Sequence, residues 1–458
     1  MFRPWHLSEL ISVLDARLVG EDLLVYRVHT DTRSLQQGDL FVALVGENFD
    51  GHDFLPQAAA AGAVAAVVQQ ERKDWSMPQL VVADTRLALG HLGHYNRTFY
   101  QGPLVALTGS SGKTTVKELL ASICRKALGD DVVLATRGNL NNDLGVPMTL
   151  LELDDRHQLA IIELGASRPG EIDYTRALTA PQIVLINNAG MAHAGEFGGP
   201  EEIIRAKGEI LDGLNGQGVA VLCLDDDGFA DWQKRNSAGS LLTFSAGNAA
   251  ADVHASEVRL DAAGCAGFVL HTPAGQARVQ LQLSGGHNLM NALAAAAAAL
   301  ATGMRLENVV DGLESCQPVA GRCVRHELND RGVLIDDSYN ANPASMRAGM
   351  DLLAGMPGRR TLVLGDMGEL GDWAEAEHRA LGEYASDRAD ELLAVGPHML
   401  HAVQAFAGKA QHFSSQQELL VALAGLNEQP RSYLVKGSRS AAMENVVAAI
   451  LNADKGAS

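Results

Sequence analysis

The chain has 458 residues, 47% hydrophobic and 20% charged, which at roughly 150 residues per domain predicts three domains, each able to bury its own core. Its formal net charge of −19 argues against a general nucleic-acid or anionic-membrane surface, so an anionic substrate has to meet a local basic pocket. The five cysteines show no metal spacing, Met1–His6 lacks the apolar core of a signal peptide and no apolar run reaches membrane-spanning length. Reduced thiols, a cytoplasmic location, no nucleic acid and no membrane insertion are expected.

In chain order, residues 1–98 predict a small mixed α/β unit. It has an amphipathic helix over Leu7–Leu14, a buried strand over Leu40–Leu44, and an alanine-rich helix from Phe54 that leads into a strand ending at Val68. Residues 99–314 alternate strands (Leu104–Thr108, Leu159–Glu163, Ile183–Asn187, Val219–Leu224) with helical segments, the pattern of a doubly wound parallel sheet. A helix over Glu201–Leu214 opens at Pro200 with two acids in its first turn. From Leu241 to Leu283 short alternating strands and turns predict an antiparallel insertion, followed by the alanine-rich helix Asn288–Ala301. Residues 315–458 carry strands at Val333–Asp336, Thr361–Leu364, Glu391–Val395 and Tyr433–Lys436 between helices, a Rossmann-like order. No G-x-G-x-x-G follows a strand, so a dinucleotide site is not expected there.

One stretch carries the most chemistry. Leu104–Thr108 runs into Gly109-Ser110-Ser111-Gly112-Lys113-Thr114-Thr115 and then a helix start at Val116. Backbone N–H groups at a helix start, glycines that admit phosphate oxygens and an adjacent lysine make a polyphosphate cradle; a hydroxyl after the lysine can hold Mg²⁺. The usual cradle has four residues between its first glycine and the Gly-Lys pair; here Gly109 and Gly112 enclose two. Glu163 ends the strand Leu159–Glu163. By itself a strand-end glutamate caps a loop as often as it binds a metal, but beside the cradle it reads as an Mg²⁺ ligand. The segment Asn187–His193 reaches the same rim, although a lone histidine is usually structural. Lys207, within Ala-Lys-Gly-Glu-Ile, would without context be a solvated lysine.

The shortened cradle resembles that of the Mur ligase and folylpolyglutamate synthetase superfamily, and further segments extend the resemblance from Asp31 to Arg439. Asp31-Thr-Arg33-Ser34 through Gly38-Asp39-Leu-Phe41-Val-Ala43 is similar to a uridine-nucleotide signature, which implies substrate contacts from Arg33 and Ser34. Gly286-His287-Asn288-Leu-Met-Asn291 is similar to the family's adenine-facing element, and Gly321-Arg322 to an arginine that reaches the nucleotide. The resemblance implies ATP, Mg²⁺ (two ions), a carbamylated Lys207, and catalytic or metal roles for Lys113, Thr114, Glu163, His193 and Lys207. Asp337 is the expected acid toward ATP, with Asp336 left open.

Asp336-Asp-Ser-Tyr-Asn340-Ala-Asn342-Pro and Leu364-Gly-Asp-Met-Gly-Glu-Leu-Gly371 resemble the branch of the family that adds D-alanyl-D-alanine to a UDP-N-acetylmuramoyl-tripeptide. With Lys436-Gly-Ser438-Arg439 they imply substrate contacts from Asn340, Asn342, Lys436, Ser438 and Arg439. A monomer acting on these small molecules is expected. Cys223 and Cys323 depart from the pattern, replacing an asparagine and a leucine. A related ligase, a kinase-like NTPase and a non-catalytic nucleotide binder remain as alternatives.

Overall fold

A computed structural model describes residues 1–456 other than 47, 74, 191–193, 330–331 and 427–429. Runs of apolar residues too short for helices become buried strands, and these assemble into three main sheets in chain order. The first sheet has five strands between Arg17 and Val81, with the strand Ala63–Val68 at its centre and Asp39–Val42 beside it. Trp5, Leu7, Leu10 and Leu14 pack one face of the helix Leu7–Leu14 onto that unit.

The second sheet has nine strands. Its middle is parallel: Leu104–Thr108 lies between Leu159–Glu163 and Ile183–Ile186, with Leu107 in register with both Glu163 and Leu185. From Leu104–Thr108 the chain turns to one edge of the sheet; from Ile183–Ile186 it turns to the other. In open α/β sheets the crevice at such a reversal, outside the carboxyl ends of the strands, is where ligands bind. The antiparallel stretch anticipated after residue 240 is continuous with this sheet. Ser240–Ser245 and Val253–Leu260 add in parallel, and only Cys265–Thr272 and Gly275–Ser284 run antiparallel.

The helix His287–Ala301 carries Ala292 and Ala294–Ala299 fully buried between sheet and neighbouring helix. Alanine is the residue that lets two such backbones come close with no side-chain entropy to lose. The helix expected over Glu201–Leu214 stops at Gly208 and continues as a 3₁₀ turn over Glu209–Leu211. There Glu209 turns its carboxylate onto the N–H groups of Gly170 and Asp173, satisfying orphan donors at the start of the helix Glu171–Thr179.

The third sheet has six strands, five parallel and one antiparallel edge strand, Val324–Glu327. Its central strands Val333–Asp337, Arg431–Lys436 and Arg359–Gly365 are adjacent. Their carboxyl ends therefore bring Asp337, Lys436 and the loop after Gly365 to one rim. No helix among the described residues is long and apolar enough to cross a membrane.

Candidate active site

A cleft of about 850 Å³ lies between the rims of the second and third sheets. Its floor is the turn between Thr108 and the helix Lys113–Leu128. Gly112 caps that helix with φ +75°, and a Cβ there would lie 2.3 Å from Asn291 Oδ1 and 2.8 Å from Asn187 Nδ2. Only glycine satisfies both demands, the left-handed backbone and the close approach. The turn is held from outside: Asn188 Oδ1 accepts from Ser111 N at 2.9 Å, Asn187 Nδ2 donates to Ser111 O at 2.9 Å, and Ser110 Oγ donates to Gly190 O at 2.9 Å. Lys113 Nζ donates to Gly109 O at 2.7 Å, folding the ammonium back over the turn. Burial holds Lys113 below the ordinary lysine range, opposed by the Glu163 carboxylate.

The Thr114 hydroxyl donates to Glu163 Oε2 at 3.0 Å, and Asn141 Nδ2 donates to Glu163 Oε1 at 2.7 Å. A hydroxyl and a fixed carboxylate side by side are hard oxygen donors of the kind Mg²⁺ takes, with phosphate oxygens and water completing its shell. Arg322, from the third domain, donates from Nη2 to the same Thr114 oxygen at 3.1 Å. Asn342 Nδ2 reaches Ser111 Oγ at 2.9 Å, so two side chains of the third domain touch the cradle. Among the described residues, nothing accepts from the buried Nε of Arg322 or donates to the buried Oδ1 of Asn187. Orphaned polar atoms around a cradle fit a site shaped for a polar ligand.

On the helix His287–Ala301, Asn291 Nδ2 donates to Asn288 Oδ1 at 2.9 Å, and Asn187 Nδ2 approaches Asn291 Oδ1 at 3.1 Å. Asp337 faces the cleft, with its Oδ2 2.5 Å from Lys436 Nζ. Asp336 instead accepts from Ser338 N and Oγ at 3.1 and 2.6 Å, closing its own turn. Lys436 also donates to Asn340 O at 2.8 Å. Burial holds the neighbouring His287 below the ordinary imidazole range.

Of the residues singled out in the sequence, the cleft walls include Ser110, Ser111, Gly112, Lys113, Thr114, Thr115, Glu163, Asn288, Asn291, Arg322, Asp337, Asn340, Asn342, Lys436 and Arg439. Gly109 contributes the carbonyl that holds Lys113, and Ser438 is buried with its N–H on Asp366 O at 2.8 Å. Lys207 is 1% exposed and is not among the residues lining the cleft; its ammonium lies 5.1 Å from the centre of the Phe197 ring. Burial first, then the charge of Lys113, brings it down to about 7. His193 lies outside the described residues. Arg33 and Ser34 are not at the cleft: they sit on the 3₁₀ turn Thr32–Ser34, where Arg33 Nη2 pairs with Asp31 Oδ2 at 2.6 Å.

Asn188 and Tyr339, inside two of the segments singled out in the sequence but given no role there, hold or face the cradle, and so does Asn141, which has no distinct signal. Asn141 stands in the asparagine-rich run Asn139-Leu140-Asn141-Asn142 after the strand Val133–Ala135, a pattern that by itself says only "loop".

The fold and cleft define a three-unit α/β protein with a phosphate cradle shared between two sheets. Family models match in three segments: the Mur ligase family catalytic domain over residues 24–95, the Mur ligase middle domain over 107–299, and the Mur ligase glutamate ligase domain over 321–439. The UDP-N-acetylmuramoyl-tripeptide--D-alanyl-D-alanine ligase of Escherichia coli K12 is 45% identical over 97% of this chain and 98% of its own length. The ligase of the same name from Haemophilus influenzae is 42% identical over 96% of both chains. Among solved structures, MurF from Acinetobacter baumannii superposes with a TM-score of 0.92 at 43% identity, covering 98% of this chain and 99% of its own. MurF from Thermotoga maritima, in complex with ADP, superposes at 0.83 with 26% identity, covering 95% and 99%. The chain belongs to the Mur ligase family.

Proposed function

We propose that the chain is an ATP-dependent ligase joining the free carboxylate of a UDP-N-acetylmuramoyl-tripeptide to the amine of D-alanyl-D-alanine. This is the last cytoplasmic step in making the peptidoglycan precursor. The reading rests above all on 45% identity to a ligase of that activity over nearly the whole chain. Units over 1–98 and 99–314 hold the uridine end of the substrate and the ATP, and the unit over 315–458 closes over both, in a monomer.

A carboxylate resists attack by an amine at neutral pH and has to be activated. In this reading it attacks the γ-phosphate of ATP, giving an acyl phosphate and ADP. The dipeptide amine then adds to the acyl carbon, and the tetrahedral intermediate collapses to the amide and inorganic phosphate. The protein contributes position and charge. The turn amides and the start of the helix Lys113–Leu128 receive phosphate oxygens, and Lys113 offsets their charge against the incoming carboxylate. Arg322 brings a second cation to the Thr114 side. Asn288 and Asn291 present amides to the base, and Asp337 faces the nucleotide side of the cleft, steadied by Lys436.

Thr114 and Glu163 are the residues that would hold Mg²⁺, which when bound supplies charge neutralisation at the phosphates. For a second ion we assign Lys207 and His193. A neutral Lys207 amine adds CO₂ to give a carbamate anion and releases one proton. The buried ammonium, brought down to about 7, supports that assignment, because a large fraction is neutral near pH 7.

The test is ADP release by the purified chain with UDP-N-acetylmuramoyl-tripeptide and a panel of acceptors. Turnover is expected with D-alanyl-D-alanine and not with glutamate, lysine or meso-diaminopimelate. A preference for one of those three would assign the chain to another ligase of the family.

A further inference from the structure

Among the described residues, Arg322 is the one arginine of the third domain that bonds to the cradle, and a long flexible side chain does not hold such a position unaided. Three features converge on it. Its guanidinium carbon lies 4.3 Å from the centre of the Tyr339 ring, within the range where a cation is attracted to an aromatic face. The backbone locks the two segments together, because Tyr339 N donates to Gly321 O at 3.0 Å. Gly321, immediately before the arginine, has φ +71°, and a Cβ there would lie 3.2 Å from both Tyr339 N and Cβ. The turn therefore uses glycine so that the tyrosine can come close. Among the described residues no hydrogen bond from the tyrosine hydroxyl enters this arrangement; the ring face does.

We propose that Tyr339 is a positioning residue that acts through Arg322, its ring and the Gly321 turn presenting the guanidinium to Thr114 and to the phosphates beside it. This deepens the nucleotide part of the reading above and rests on it. A planar guanidinium stacked on a ring loses fewer orientations when a phosphate arrives. The buried Nε of Arg322, which has no acceptor among the described residues, is then already placed for a ligand oxygen. Tyr339 itself lines the cleft, so its effect belongs to nucleotide binding and not to the third domain's core.

The test is a double-mutant cycle on Mg·ADP binding by calorimetry, with the thermal midpoint of each variant recorded. Tyr339→Phe keeps the ring face and is expected to bind within about twofold of the parent. Tyr339→Leu removes it and is expected to weaken binding about three- to tenfold, in line with an exposed-to-buried cation–π contact. In an Arg322→Ala background, Tyr339→Leu is expected to add less than twofold. The inference fails if the two losses multiply, if Phe is as poor as Leu, or if Leu binds like the parent. A parent chain that binds no adenine nucleotide would overturn the reading of the cleft as well. Binding with multiplying losses would overturn only the role of Tyr339.

Discussion

The Thr114 hydroxyl lies 3.0 Å from Glu163 Oε2, joining the first turn of one helix to the end of the neighbouring strand. Parallel pairing puts it there: Leu107 is in register with Glu163, and the cradle turn then carries the chain back so that Thr114 faces the acid. We expect Glu163→Gln to keep the fold, since Asn141 and Thr114 still find an amide partner. Turnover should fall at least ~100-fold, the scale on which a lost electrostatic contact to a reacting phosphate is felt. ADP release against Mg²⁺ concentration checks it. Unchanged Mg²⁺ saturation would remove Glu163 from the metal site.

Gly112→Ala should damage the cradle directly. The added Cβ meets Asn291 and Asn187 at 2.3 and 2.8 Å, and the left-handed φ strains any other residue by ~1 kcal/mol or more. Loss of nucleotide binding by calorimetry, with the thermal midpoint lowered by a few degrees, is the expected pair of results.

Lys207 sets stability against function. Its folded value of about 7 lies below the ordinary 10.5, so between those values the unfolded chain binds the extra proton. The lysine's contribution to stability therefore rises with pH through that window and is least favourable below 7. Lys207→Met should raise the thermal midpoint at pH 7, removing a penalty on the order of a few kcal/mol, while abolishing turnover and sparing nucleotide binding. The difference in midpoint should shrink toward pH 10. A carbamate at this position also predicts lower rates in CO₂-depleted buffer; full rates there would refute it.

The Lys436–Asp337 pair is buried, with Lys436 Nζ 2.5 Å from Asp337 Oδ2. Lys436→Met strands a carboxylate and should cost ~3–5 kcal/mol, whereas Lys436→Met with Asp337→Leu should recover much of that loss, since an apolar pair needs no desolvated charge. Urea denaturation of the parent and the two variants checks it. Both active-site variants should be poor ligases, whatever their stability.

Asn342 has two jobs that one substitution separates. Its Oδ1 caps the helix Pro343–Ala354 through Ser345 N at 2.9 Å, and its Nδ2 donates to Ser111 across the domain boundary. Asn342→Asp keeps the cap and loses the donor, so stability should stay within ~0.5 kcal/mol while ATP affinity drops. Asn342→Ala should lose both, with about 1 kcal/mol from the cap alone. Paired calorimetric and thermal measurements distinguish the two.

Much of this was legible in the chain itself. The cradle Gly109–Thr115, the strand-ending Glu163 and the alternation of strands and helices are local patterns, and local backbone physics follows from short stretches of residues. What the sequence could not decide is pairwise and long-range. Asp336 and Asp337 are adjacent in the chain and read alike; only the strand's pleat, which sends neighbouring side chains to opposite faces, turns Asp337 toward Lys436 and leaves Asp336 to close its own turn. Asn141, a loop residue by every local measure, becomes a partner of Glu163 because two sheet edges meet. The burial that brings Lys207 down depends on Phe197, Ile203 and Ala206 folding around it. Composition and spacing thus determined which chemistry the chain can host. Tertiary packing decided which member of each ambiguous pair faces the cleft and how far each charge is shifted, because orientation and desolvation depend on neighbours distant in sequence.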